Sequence, residues 1–347
     1  MDMKTFERML KKIPKGKAPD IFFNTVEHYI NASKEVKEAL LTICNEMILD
    51  GDKYSSSILS MSTSTYLYKG KNKKRTDPSS YRKVSIGSIC NKIVDCYMEG
   101  LIKSKQSDLQ YGFTKGVDFK GCTVLRETAV NYNTAKGEMT MILAVDVNNA
   151  FSRTQREYQL YELWKSGACG REYSRIILEH QGSEQGGKLS AGDFVVYNSS
   201  WSRIIEAVEI GLKVEGYFYG AFECADDSLS CTTSIVELIA VTLIYEYFRQ
   251  EYDVQFAYSK CMLNVFNDDK VKKLLQEEDL FTIGGHKPLF EESSLHLGIM
   301  MTEKLDELGD ITVEHRMTQT KKKIFMSFTP NISNHTSLPF RYLQKLY

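Results

Sequence analysis

The sequence predicts an α+β fold, and three observations carry that prediction. Segments with apolar residues at helical spacing are mixed with paired strands, not threaded between single parallel ones. Met139 to Val147, "MTMILAVDV", is nearly continuous apolar and β-branched, the pattern of a buried strand with Asp146 near its end. "LKVEGYFYGAFECADDSLSCTTS" reads as strand, turn and strand.

In chain order, "TFERMLKKIPKGKAPD" is a helix end followed by a Lys/Pro/Gly loop, and "SKEVKEALLTICNEMILDG" is a helix that stops at Gly51. A basic loop follows. "YRKVSIGSICNKIVDCYMEGLIKS" gives a short strand and then a helix from about Ser88. "GCTVLRETAVNYNTAKG" is a helix ended by Gly137, and "REYQLYELWKSG" is another. "GSEQGGKLSAGDFVVYNSSWSRIIEAVEIG" is a Gly-rich turn leading into one long helix. A buried helix spans residues 235–252, "YDVQFAYSKCMLNVF" is a polar turn and a strand, and "SSLHLGIMMTEK" is a strand with a tight turn.

The 347 residues are 42% hydrophobic and 26% charged, enough for a substantial core. The longest apolar candidate, Ile235 to Phe248, is short and interrupted by Glu237 and Glu246, so no membrane span is expected. The opening "MDMKTFERML" lacks a secretion layout, and eight scattered cysteines without a C-x-x-C pair suit reduced thiols in an intracellular protein. The net charge of -1 hides an asymmetry: residues 1–139 carry 23 Lys+Arg against 16 Asp+Glu, and the remainder 21 against 29. Lys69 to Lys83, "KGKNKKRTDPSSYRK", holds seven basic residues and one acid, which suits a solvated loop or a phosphate-contacting surface.

The pair Asp226-Asp227 lies inside an apolar strand pattern. Adjacent buried carboxylates raise each other's pKa and need a hairpin tip or a cation. Asp268-Asp269, in the Lys-rich "FNDDKVKK", reads as a solvated turn by comparison. Mg²⁺ is the natural cation, because it takes carboxylate oxygens and keeps positions for water and phosphate. Asp146, at the end of its strand, supplies a third carboxylate. Two metals held by such a set can activate an attacking hydroxyl and stabilise the leaving oxygen in phosphoryl transfer.

The ordered motifs resemble the reverse transcriptases of non-LTR (LINE-type) retrotransposons. "IPKGKAPD", "YKGKNKKRTDPSSYRKVSIGSICNKIVD", "QYGFTKGVDFKGCTVL", "LAVDVNNAFSR", "GSEQGGKLSAGDF", "ECADDSL", "YSKCMLNVF" and "LHLGIMM" follow the family's order over about residues 10–300. The resemblance implies a right-hand polymerase fold. Residues 1–139 would be mainly fingers, and 140–300 the palm, with part of the fingers at about 155–190 and a ferredoxin-like sheet. Residues 301–347 would start a short or incomplete thumb.

It also implies roles. Asp146, Asp226 and Asp227 would hold two Mg²⁺, with Mn²⁺ as a substitute. Arg82 would lie against the incoming nucleotide, with Lys73 or Lys74 adding charge to its triphosphate, and Gln185 and Gly186 would border it. Phe151 matches the aromatic that blocks a ribose 2′-hydroxyl, although a core Phe after a strand fits its position nearly as well. Lys260 matches the proposed general acid for pyrophosphate, and Leu297-Gly298 the primer-grip turn. The implied partners are an RNA template, a DNA primer or RNA–DNA hybrid, and dNTPs, with a partner chain left open as a source of the thumb.

Cys224 replaces the family's aromatic before its Asp pair, Ser152 the Asp of "AFD", Lys83 the Pro after its Tyr-Arg, and Ala191 the Pro of "LSP". The sequence therefore leaves a second class open, a catalytically decayed or co-opted nucleic-acid-binding scaffold on the same fold. An RNA polymerase with a related palm is disfavoured by Phe151. An unrelated metal nuclease would leave Arg82, Gln185 and Lys260 unexplained.

Overall fold

The computed structural model describes residues 1–50, 59, 61–70, 73–102, 107–113, 119–148, 150–168, 170, 189–290, 293–296 and 299–302. It is an α+β protein, divided into two compact units, Met1–Glu291 and Glu292–Tyr347. The first unit opens with helices α1 (Met3–Lys12), α2 (Val26–Ile30) and α3 (Lys34–Leu49), then the ribbon β1 (Ser62–Tyr68) and β2 (Tyr81–Gly87). Helices α4 (Ile89–Ile102) and α5 (Phe119–Ala135) lead to strand β3 (Thr140–Asp146). There follow α6 (Ala150–Arg153), α7 (Arg156–Lys165), α8 (Ser190–Asn198) and α9 (Ser200–Ala207). Two hairpins come next, β4 (Lys213–Val214) with β5 (Tyr217–Phe218), and β6 (Ala221–Cys224) with β7 (Asp227–Thr232). Helix α10 (Ile235–Glu251), strand β8 (Met262–Phe266), helix α11 (Asp269–Glu277) and strand β9 (Leu289–Phe290) complete the unit. The second unit contains the antiparallel pair β10 (Ser293–His296) and β11 (Ile299–Thr302).

The main sheet has the order β6-β7-β3-β8-β9, antiparallel throughout except for the parallel pair β8–β9. β3 is central, and Thr140 to Val145 are all buried. Met141, Leu143 and Val145 enter a core with α8, α9 and α10, while Ile142 and Ala144 are buried on the other face. Burial on both faces is why the run is continuously apolar. Each of the buried Met, Ile, Leu and Val side chains contributes about 1.5–3 kcal/mol. A second core joins Phe6 and Leu10 of α1, Cys44 and Met47 of α3, and Ile93 and Val94 of α4. The seven described cysteines are free thiols. Among the described residues no helix is long and apolar enough to cross a membrane.

Three expectations change. The long helix after the Gly-rich turn is two helices, α8 and α9, meeting at Ser199. The Ser199 hydroxyl donates to the Val195 carbonyl at 2.6 Å, a back-bond that bends helices, and also meets Glu223 Oε2 at 2.7 Å. Asp268 is not merely a solvated turn residue: it caps α11, accepting from the Val271 N–H at 2.9 Å. The strand that opens at Tyr81 is found as expected, but it pairs with a strand not foreseen, β1, whose polar "STSTYLY" stays mostly exposed.

Candidate active site: three carboxylates facing a basic ribbon

Sheet register gathers the three aspartates. Asp146 ends β3 and is the direct cross-strand partner of Asp227, the first residue of β7. Cys224 pairs with Asp227, so Ala225 and Asp226 alone form the hairpin turn. Ala225 has φ +61°, the left-handed first position that a two-residue hairpin loop demands. For a residue with a Cβ this costs about 1–2 kcal/mol, so the surroundings must hold it in place. Asp226 and Asp227 thus stand at a hairpin tip, as the sequence suggested, yet both are only partly exposed.

Their electrostatics couple them. Burial raises the Asp226 carboxyl above the ordinary range, and the charge of Asp146 adds to the effect. Asp227 is pushed up to about 6 by burial first, then by the charges of Asp226 and Asp146. Lys260, in a single turn at Tyr258–Lys260 just before β8, ion-pairs with Asp146 Oδ2. That bond, the first cause, raises the Lys260 ammonium pKa. The turn is tied to β3 by the Ala257 N–H, which donates to the Asp146 carbonyl at 2.8 Å.

The donor set is all carboxylate oxygen, which suits a hard divalent cation. Among the described residues, no group of three or more His, Cys, Asp or Glu is drawn close enough to hold a metal as placed. Lys260 takes up Asp146 instead. The carboxyls of Asp226 and Asp227 are raised by burial first and by neighbouring carboxylate charge second, both of which a bound cation would offset, so these residues fit Mg²⁺ chemically.

The β1–β2 ribbon supplies opposite charge. Arg82 lies on β2 opposite Leu67, and its charge reaches Asp226, where it favours the ionised carboxylate. Lys69 follows β1 directly, with its N–H on the Ser80 carbonyl at 2.8 Å. Its pKa is lowered by burial first, and then by the positive charges of Lys73, Arg82 and Lys260. Four cations therefore share the field around this ribbon and the Asp146 end of the sheet. The loop folds back on its own tyrosines: the Tyr68 and Tyr81 rings lie 5.6 Å apart, Arg75 sits 5.3 Å from the Tyr68 centroid, and Tyr81 donates to the Arg75 carbonyl at 2.9 Å. Lys73 and Lys74 are both exposed on it, and Lys73 is the one whose charge acts on Lys69.

The structure thus brings together Asp146, Asp226, Asp227, Lys260, Arg82 and Lys73. Phe151 lies in α6, its side chain outside the described residues, where Gln185, Gly186, Leu297 and Gly298 also fall. β10 and β11 flank the last two, with His296 paired to Ile299. Lys69 was missed by sequence reasoning. Its signal was its place as the first base of the run, next to a strand that was not recognised. No protein-family model matches the chain, and comparison with curated proteins also finds no match.

Proposed function

We propose that this chain is a reverse transcriptase module, an RNA-directed DNA polymerase of right-hand architecture. The observation that carries the reading is the Asp146–Asp227 register pair with Asp226 in the adjoining turn, set within the field of Lys260 and, at Asp226, of Arg82. The motif order that resembles non-LTR reverse transcriptases supports it independently. Asp146, Asp226 and Asp227 would hold two Mg²⁺, and bound metal would supply an activated primer 3′-hydroxyl and stabilise the departing oxygen. Arg82 offers a planar fork to phosphate oxygens, with Lys69 and Lys73 adding charge against the triphosphate. Lys260, on release from Asp146, stands ready to protonate leaving pyrophosphate. Phe151 would exclude a 2′-hydroxyl. Gln185 and Gly186 would border the nucleotide, and Leu297-Gly298 would seat the primer end. RNA template, primer and dNTPs are the substrates.

One observation favours the second reading, a nucleic-acid-binding scaffold: the Lys260–Asp146 pair engages a carboxylate that catalysis needs. Primer extension on poly(rA)/oligo(dT) separates the two. Incorporation of dTTP over UTP, lost in Asp226→Asn, is expected. Salt-sensitive hybrid binding without incorporation would replace the polymerase reading with the scaffold.

A further inference from the structure

We infer that Gln110 and Asn198 are positioning residues that clamp the Asp226-Asp227 turn through the backbone of Ala225. This deepens the reading above and rests on it for its catalytic consequence. Ala225 is the strained residue of the turn, and both of its backbone polar groups are held from outside the hairpin. Its N–H donates to Gln110 Oε1 at 2.9 Å, and its carbonyl accepts from Asn198 Nδ2 at 2.9 Å. The two side chains come from separate segments, Asn198 from the end of α8 and Gln110 from the segment before α5.

Each prong is itself anchored. Gln110 Oε1 also accepts from the Gly112 N–H at 2.8 Å, and Gln110 Nε2 donates to Glu223 Oε2 at 2.8 Å. Glu223 Oε2 takes a further bond from Ser199 Oγ at 2.7 Å, joining the Gln110 prong to the α8–α9 junction beside Asn198. The Gln110 segment is tied along β6 by Tyr111 N–H to the Glu223 carbonyl at 2.8 Å, and by Glu223 N–H to the Leu109 carbonyl at 3.0 Å. Gly112 approaches so closely that a Cβ there would stand 2.2 Å from the Ala225 nitrogen. Gln110, Glu223 and Ser199 are all buried, so the network competes with little water.

The mechanical consequence follows from connectivity. Asp226 and Asp227 are the next two residues after Ala225. A rotation of the turn moves the Asp226 carboxylate relative to Asp146, which is fixed on the central strand, and pulls on Asp227, the first residue that the sheet holds beyond the turn. Groups that orient ligands from behind typically carry a 10–100-fold effect on metal affinity or activity.

The test compares the full chain with Gln110→Met and Asn198→Leu, apolar replacements of similar size. Three readouts are used: amide hydrogen exchange at Ala225 to Asp227, Mn²⁺ affinity by electron paramagnetic resonance, and the kcat and KM of dTTP incorporation. Both variants are expected to exchange faster at the turn, to bind Mn²⁺ about 10-fold more weakly, and to lose kcat with little change in KM. Hybrid binding should be preserved. Variants that match the native protein in turn exchange and Mn²⁺ affinity would overturn the clamp. If Gln110→Met does not fold, Asn198→Leu alone decides, because Asn198 makes a single bond to the turn. A native protein that neither binds Mn²⁺ nor extends primers, but whose turn exchange still quickens in the variants, refutes the polymerase reading and upholds the clamp.

Discussion

Replacing Glu223 with glutamine is expected to free the protein from a stability loss that sets in as pH rises. Glu223 sits on β6, fully buried, and burial pushes its carboxyl up from 4.5 to about 8. Hydrogen bonds from Ser202, Ser199 and Gln110, with the charge of Arg203, oppose the shift but do not cancel it. A carboxyl raised by folding is bound to its proton more tightly in the native state. Its stabilising contribution is therefore whole below about 4.5 and is lost as pH rises through about 8. At roughly 1.4 kcal/mol per pKa unit, the loss between pH 5 and pH 9 is on the order of 4 kcal/mol. Glutamine keeps the oxygen that serves Gln110 and Ser199 and carries no titrating proton. The assay is urea unfolding at pH 5, 7 and 9, followed by the fluorescence of buried Trp201. The stability gap between variant and native protein should widen in favour of Glu223→Gln by about 4 kcal/mol across the series. A gap that stays constant with pH would refute the reasoning, because Glu223 would then be ionised or solvated in the fold.

Three further outcomes are expected. Asp226→Asn removes a charge that raises Asp227, so it should stabilise the metal-free protein by about 1 kcal/mol at pH 7.5 in urea unfolding. Gly112→Ala drives a Cβ against the Ala225 backbone and should destabilise by about 2–3 kcal/mol, read as a fall in the unfolding midpoint. Lys69→Ala removes a cation from the ribbon beside Arg82 and Lys260. It should raise the KM for dTTP about 10-fold, as loss of a charge-assisted phosphate contact does, with kcat changed much less.

The parts of the fold legible in the sequence were those with a strong local pattern. β3 announced itself because both faces are buried, and the Asp pair stood out because acids are costly in that setting. β1 was missed because its Ser/Thr-rich strand is exposed and never shows an apolar alternation. The break at Ser199 was hidden because a serine mid-helix is ordinary in sequence, and the Glu223 partner that its hydroxyl also meets lies in no local window. Gln110 was invisible as a site residue for the same reason: its partner Ala225 lies 115 positions away. Chemistry written in neighbouring residues is legible in the chain, while support supplied across the fold emerges only once the chain is folded.

The most direct test of the two-metal reading is single-turnover dTTP incorporation on poly(rA)/oligo(dT), titrated with Mg²⁺ and with Mn²⁺, for the native protein and Asp146→Asn. The geometry predicts metal-dependent extension by the native chain and its loss in Asp146→Asn, with hybrid binding retained in both. Extension that survives in Asp146→Asn, or a native protein that binds the hybrid tightly and incorporates nothing with either metal, would contradict it.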